Sequence, residues 1–168
     1  MMRNLGLRQQ YSRPRPPFRI VFSMASTTTR RLDFRDEIEV LRNNLDPEMV
    51  LIEEHYFYNY TLPKQAELTS QTSIYISSCG GGAVTSMFLP QGASAFLYYP
   101  TDSGHQTHDF KLTGTPARLD WDLFNNLGYV RVHWLPQNSK KRDLDMFLDL
   151  VRHEVGILQS KFSGESTS

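Results

Sequence analysis

Apolar and polar positions along the chain switch repeatedly between strand-like and helix-like patterning. Phe18-Arg19-Ile20-Val21-Phe22-Ser23 is a short apolar run of strand length, followed by the hydroxyl-rich Ser26-Thr27-Thr28-Thr29, which suits the cap of a helix. From Phe34 to Leu45 the apolar residues Phe34, Ile38, Leu41 and Leu45 recur at helical spacing. Asp33, Arg35, Asp36, Glu37, Glu39 and Arg42 are expected on the solvent face of that helix. It should stop near Asn43-Asn44 and Asp46-Pro47, because the residue before a proline is driven out of the helical region. Residues 49–53 read as a second strand, and residues 62–69 as a short helix with Pro63 at its start. Residues 73–77 form a third strand that runs into Cys79-Gly80-Gly81-Gly82. Ala83 to Leu89 then allow two helical turns before Pro90-Gln91-Gly92 stops them, and Ala95 to Tyr99 make a fourth strand closed by Pro100.

Strands that alternate with helices call for parallel pairing through right-handed crossovers. The expected fold class is therefore α/β: a doubly wound, Rossmann-like, mostly parallel sheet. Ligands of such sheets bind at the carboxyl ends of the strands. Residues 101–118 lack periodicity and read as a surface loop, and residues 130–135 as a last strand. Residues 142–159 should form a closing helix with Leu144, Phe147, Leu148, Val151, Val155 and Leu158 on one face. The organisation expected is a flexible basic segment over 1–17, one domain over 18–162 and a disordered tail over 163–168.

At 168 residues, with 39% hydrophobic and 21% charged positions, the chain has the size and mixture of one globular domain. Lys plus Arg and Asp plus Glu balance at 18 each, so no basic field points to nucleic acid. Residues 1–31 hold seven arginines and no acid, the composition of a transit peptide. Pro14, Pro16 and Pro17 break any amphipathic helix there, so an exposed linker is the preferred reading. No apolar run is long enough for a membrane span, and no signal-peptide core opens the chain. Cys79 is the only cysteine, which removes an internal disulfide or a multi-cysteine zinc site. Asn59-Tyr60-Thr61 fits the N-glycosylation acceptor pattern, which matters in a lumenal chain.

The richest chemistry lies in the glycine loop. Gly80, Gly81 and Gly82, followed by Ala83, stand between a strand and a helix, where a backbone free of side chains lets a ligand come close. The amides at a helix start favour an anion there, and a diphosphate fits. The same run also serves as a tight turn needed only for packing, since it is neither a Walker loop nor the dinucleotide fingerprint.

The block from Cys79 to Ala93 resembles the motif HGAGLTNMLFLPPGA of glycosyltransferase family 61, with Gly80, Gly82, Phe88, Leu89, Pro90, Gly92 and Ala93 on matching positions. Cys79, Gly81 and Thr85 stand where the motif has His, Ala and Asn. Leu62-Pro63-Lys64-Gln65 is similar to the family's stretch ending in glutamine, and Arg30 and Arg31 to its arginine segment between the first strand and helix. Residues 120–129 and His133-Trp134 look like the closing part of the same domain. The resemblance implies the C-terminal, nucleotide-binding half of a GT-B enzyme that inverts configuration and uses a UDP-sugar such as UDP-xylose or UDP-N-acetylglucosamine. It also implies a glycan or glycoprotein acceptor and a Golgi or endoplasmic reticulum lumen location. The donor site implied is Gly80, Gly81, Gly82 and Ala83, with Arg30 or Arg31 reaching the diphosphate and no metal cofactor. An arginine fork suits phosphate oxygens and the charge on departing UDP.

Other residues carry two readings each. Cys79 beside a helix start is either an activated thiolate or an ordinary loop residue, and no His stands at a recognised catalytic spacing. His105 and His108 read as a solvated loop rather than metal ligands. Tyr129, His133 and Trp134 line a groove or fill the core, with the core preferred. Asp120 and Asp122 are a candidate base or exposed turn acids. The competing functions are a non-catalytic or degenerate nucleotide-binding module and a different doubly wound enzyme such as a nucleotide-dependent hydrolase.

Overall fold

The structure, a computed structural model, describes residues 14–25, 32–100, 118–137 and 142–165. Residues 1–13 of the expected basic segment over 1–17, Arg30 and Arg31, residues 101–117 of the expected loop over 101–118 with His105 and His108, and residues 166–168 of the tail lie outside the described residues.

Among the described residues five strands form one sheet, all parallel: β1 Phe18–Ser23, β2 Val50–His55, β3 Ile74–Ser78, β4 Ser94–Pro100 and β5 Arg131–Gln137. Their order is β2-β1-β3-β4-β5. Among the described residues four α-helices connect or follow them: α1 Arg35–Asn44, α2 Leu62–Ser70, α3 Arg118–Asn125 and α4 Leu144–Glu165. The doubly wound α/β class expected from the alternation is what forms, in the strand order of flavodoxin-like sheets.

The inner strands are apolar on both faces because both faces are covered. Phe18, Ile20 and Phe22 of β1, Ile74 and Ile76 of β3, and Phe96 and Tyr98 of β4 face one core. Ile38 and Leu41 of α1 close that core together with Phe147, Val151, Val155 and Leu158 of α4, and the two helices pack on each other. Val21, Tyr75, Ala95 and Leu97 point the other way, toward Phe57, Ala83, Leu89 and Phe124. Each large aliphatic or aromatic side chain so buried stabilises the domain by about 1.5–3 kcal/mol.

Three local outcomes differ from the periodicity. Glu37, expected to face solvent, is completely buried. The segment after the glycines winds as a six-residue 3-10 helix, Ala83–Phe88, rather than an α-helix. Residues 118–125 form α3, and α4 runs to Glu165, through residues 163–165 of the expected disordered tail. The end of α1 follows the expectation: the Leu45 amide donates to the Leu41 carbonyl, and the Asp46 side chain takes the Glu48 amide at 2.9 Å to start the turn into β2. No helix among the described residues is long and apolar enough to cross a membrane.

Candidate functional site

Strand order decides where a ligand crevice opens. From β1 the chain goes outward to β2, then returns to build β3 on the other side of β1. The connections after β1 and β3 therefore leave on opposite faces, and the gap between them is where open parallel sheets take ligands. Gly80, Gly81, Gly82 and Ala83 stand directly after β3 at this gap. Arg30 and Arg31 belong to the connection after β1, outside the described residues.

The glycine turn is held from below. Its first amide, that of Cys79, donates to the Tyr98 carbonyl at 2.7 Å and so extends the β3–β4 ladder by one rung. Gly80 has φ of 111°, a left-handed conformation that a side chain would strain, and its carbonyl accepts the Ala83 amide at 2.9 Å. Gly81 is exposed, and a Cβ built on it meets nothing within 4 Å. Gly82 is buried with helical φ and ψ, so the three neighbouring glycines have three different roles. No carbonyl or side chain among the described residues accepts the Gly81 or Gly82 amide.

Beneath the turn lies a buried hydroxyl triangle. The Tyr75 hydroxyl is 2.8 Å from the Gly82 carbonyl and 2.7 Å from the Thr85 hydroxyl, which in turn donates to the Gly82 carbonyl at 2.8 Å. Burial pushes the Tyr75 hydroxyl up, against the opposing pull of the Ser23, Thr85 and Ser77 hydroxyls, so it remains a neutral donor at physiological pH. Thr85, at the motif position of an asparagine, is buried and fixes the turn from inside. Tyr75→Phe should cost about 1–3 kcal/mol, because it takes one of the two hydroxyl protons out of this buried triangle and leaves the Thr85 hydroxyl as its only donor. It should also shift the backbone amide resonances of residues 79–83, and unchanged shifts would show that the triangle does not set the turn.

Gln65, which matches the family's glutamine, also acts on the scaffold, since its side-chain nitrogen donates to the Phe57 and Tyr60 carbonyls at 2.8 and 2.9 Å. The other sequence candidates scatter. Tyr129 is at the opposite, amino edge of the sheet, donating to the Met87 carbonyl at 2.7 Å. His133 bonds Glu154 on the α4 face, while Trp134 on the other face donates to Asn125 and stacks on Trp121 at 5.3 Å. Alternation along a strand separates neighbours in this way. Cys79 is half-buried and Asp122 is exposed in α3.

One carboxyl-edge residue escaped the sequence reading. Arg142, just before α4, pairs through Nε with the buried carboxylate of Glu37 at 2.5 Å and donates to the Asp33 carbonyl. Its guanidinium lies 5.8 Å from the ring centroids of both Phe34 and Tyr98. Burial drives the Glu37 carboxyl up, and the Arg142 charge pulls it back. No pattern in the sequence links these two positions.

The fold and turn together define a doubly wound α/β domain with an open glycine turn at its switch point. No known family model matches the chain, and no curated protein matches it.

Proposed function

We propose that the chain is the donor-binding half of an inverting glycosyltransferase that takes a UDP-sugar and delivers the sugar to a glycan or glycoprotein acceptor. The observation that carries this reading is the Gly80–Ala83 turn at the switch point, with its Gly81 and Gly82 amides unmatched among the described residues and open space over Gly81. A diphosphate accepts such amides, and the family 61 resemblance of residues 79–93 makes it that of a UDP-sugar. Arg30 or Arg31 would supply the countercharge without a metal. In the transfer an acceptor hydroxyl attacks the anomeric carbon, the bond to UDP breaks with inversion, and a base on the acceptor-binding half takes the proton. The same resemblance puts the work in the Golgi or endoplasmic reticulum lumen. A second reading, a non-catalytic nucleotide-binding module, is favoured by one observation: Cys79 occupies the histidine position with its amide tied into the sheet.

Calorimetric titration with UDP, uridine, GDP and ADP tests the donor site. UDP should bind most tightly and uridine at least tenfold more weakly, a difference of about 1.4 kcal/mol or more from the diphosphate. Gly81→Asp introduces a carboxylate over the turn with no clash in the free protein, so it should cut UDP affinity at least tenfold with melting unchanged. Arg31→Ala should lower UDP affinity more than uridine affinity. Equal binding of ADP and UDP, or full UDP affinity in Gly81→Asp, would defeat the reading.

A further inference from the structure

A cavity of about 420 Å³ opens at the amino edge of the sheet, away from the glycine turn. It is formed where the chain enters β4 and β5 and where the last turns of α4 come back over that edge. Val130, Leu158 and Phe162 give it an apolar wall, and Arg15, Arg131 and Lys161 bring three cations to it. Arg131 is committed: its Nε is 2.7 Å from Glu154 Oε2, and its Nη2 is 3.0 Å from the Ser94 hydroxyl. Glu154 therefore balances one of the three charges. Arg15 and Lys161 are exposed and line the cavity, and no ion pair joins either of them to a carboxylate among the described residues.

Hydrogen bonds and turn geometry fix the walls of the cavity. The Gly92 amide donates to the Tyr129 carbonyl at 2.8 Å, and the Tyr129 hydroxyl is anchored on the Met87 carbonyl. Gly92 takes φ of 85°, and neither Gly92 nor Gly128 has an atom within 4 Å of where a Cβ would stand. A pocket of this volume suits a small organic molecule, and an apolar wall with fixed cations selects its chemistry.

We propose that this amino-edge cavity is a second ligand site, for a small organic anion with an apolar body and a carboxylate or phosphate head. The body rests on Val130, Leu158 and Phe162, and the head meets Arg15 and Lys161. The site is separate from the proposed donor site and does not depend on it.

The full chain, labelled with nitrogen-15, can be titrated with 2-naphthyl phosphate, 2-naphthoate, neutral 2-naphthol and inorganic phosphate. At least one naphthyl anion should shift the amides of Gly92, Gly128 and Val130 while leaving Gly80–Ala83 in place, and the tighter of the two identifies the preferred head. Naphthol and inorganic phosphate should each bind at least tenfold more weakly. Arg15→Glu combined with Lys161→Glu should weaken the anion at least tenfold with an unchanged melting temperature, since Arg15 and Lys161 are exposed and Arg131 is left intact. Naphthol binding as tightly as the anions, anion shifts away from the cavity, or full affinity in the charge-reversed variant would overturn the proposal. UDP added to the same sample reports on residues 79–83, so failure of either site is seen independently of the other.

Discussion

Glu154→Gln is expected to lower stability by about 2–4 kcal/mol at pH 7, because it orphans groups that the carboxylate holds at the join of β4, β5 and α4. Glu154 is 1% exposed, and three side chains converge on it. Arg131 reaches Oε2 at 2.7 Å, His133 lies 2.8 Å from Oε1, and the Ser94 hydroxyl donates to Oε2. Burial alone would raise this carboxyl, but the hydrogen bonds from His133, Arg131 and Ser94 outweigh it and hold it at about 2. A folded-state value below the unfolded 4.5 means that the ionised network stabilises the fold above pH 4.5. That contribution should be lost progressively as pH falls from about 4.5 to about 2, and the variant should lack this part of the acid transition. Urea unfolding at pH 7 and at pH 3 checks both statements. Arg131→Met in the Glu154→Gln background should restore part of the loss by removing the orphaned cation. No restoration, with an undiminished acid transition in the single variant, would remove the network from the account.

The elements were legible because burial on both sheet faces writes itself into dense apolar runs. Phe18–Ser23 matches β1 at both ends, and the other four strands fall within two residues of the positions read from pattern. The doubly wound class follows from their alternation with helices. Glu37 was misplaced for a physical reason: helical periodicity assigns every charge to solvent, and only a partner far along the chain, Arg142, makes its burial tolerable. Glu154 and its three partners were hidden in the same way, since the four positions come from three elements.

At the candidate site the sequence marked the glycine loop but not its inner division. Three identical letters, Gly80, Gly81 and Gly82, become a left-handed residue, an open exposed one and a buried helical one. That division is imposed by Tyr75 and Thr85 pulling on the Gly82 carbonyl and by Tyr98 holding Cys79. Tyr129, His133 and Trp134 look like one aromatic group when written in a line. Strand alternation and the start of β5 send them to the amino edge, one face and the other face respectively.

Arg142→Met is expected to lose about 3–5 kcal/mol at pH 8 and clearly less at pH 5. The variant removes the ion pair to Glu37, the bond to the Asp33 carbonyl and the contacts over Phe34 and Tyr98, leaving a fully buried carboxylate without its cation. Burial already raises the Glu37 carboxyl, and without the opposing Arg142 charge it should rise further. A group whose folded-state value lies above its unfolded one favours the fold most when protonated. The benefit is complete below the unfolded value of 4.5 and disappears as pH climbs through the raised value, which sets the sign of the expected difference. This is opposite to Glu154, so the two carboxylates can be told apart in one pair of denaturation series. Glu37→Gln added to Arg142→Met removes the stranded charge and should recover much of the loss at pH 8. Equal losses at both pH values, or a double variant no more stable than the single one, would show that the guanidinium serves only as packing. The pair also bears on function, because Asp33 and Phe34 are where the connection carrying Arg30 and Arg31 joins α1. If those arginines meet the donor diphosphate, loosening this anchor should weaken UDP more than uridine even at pH 5, where the fold itself is least disturbed.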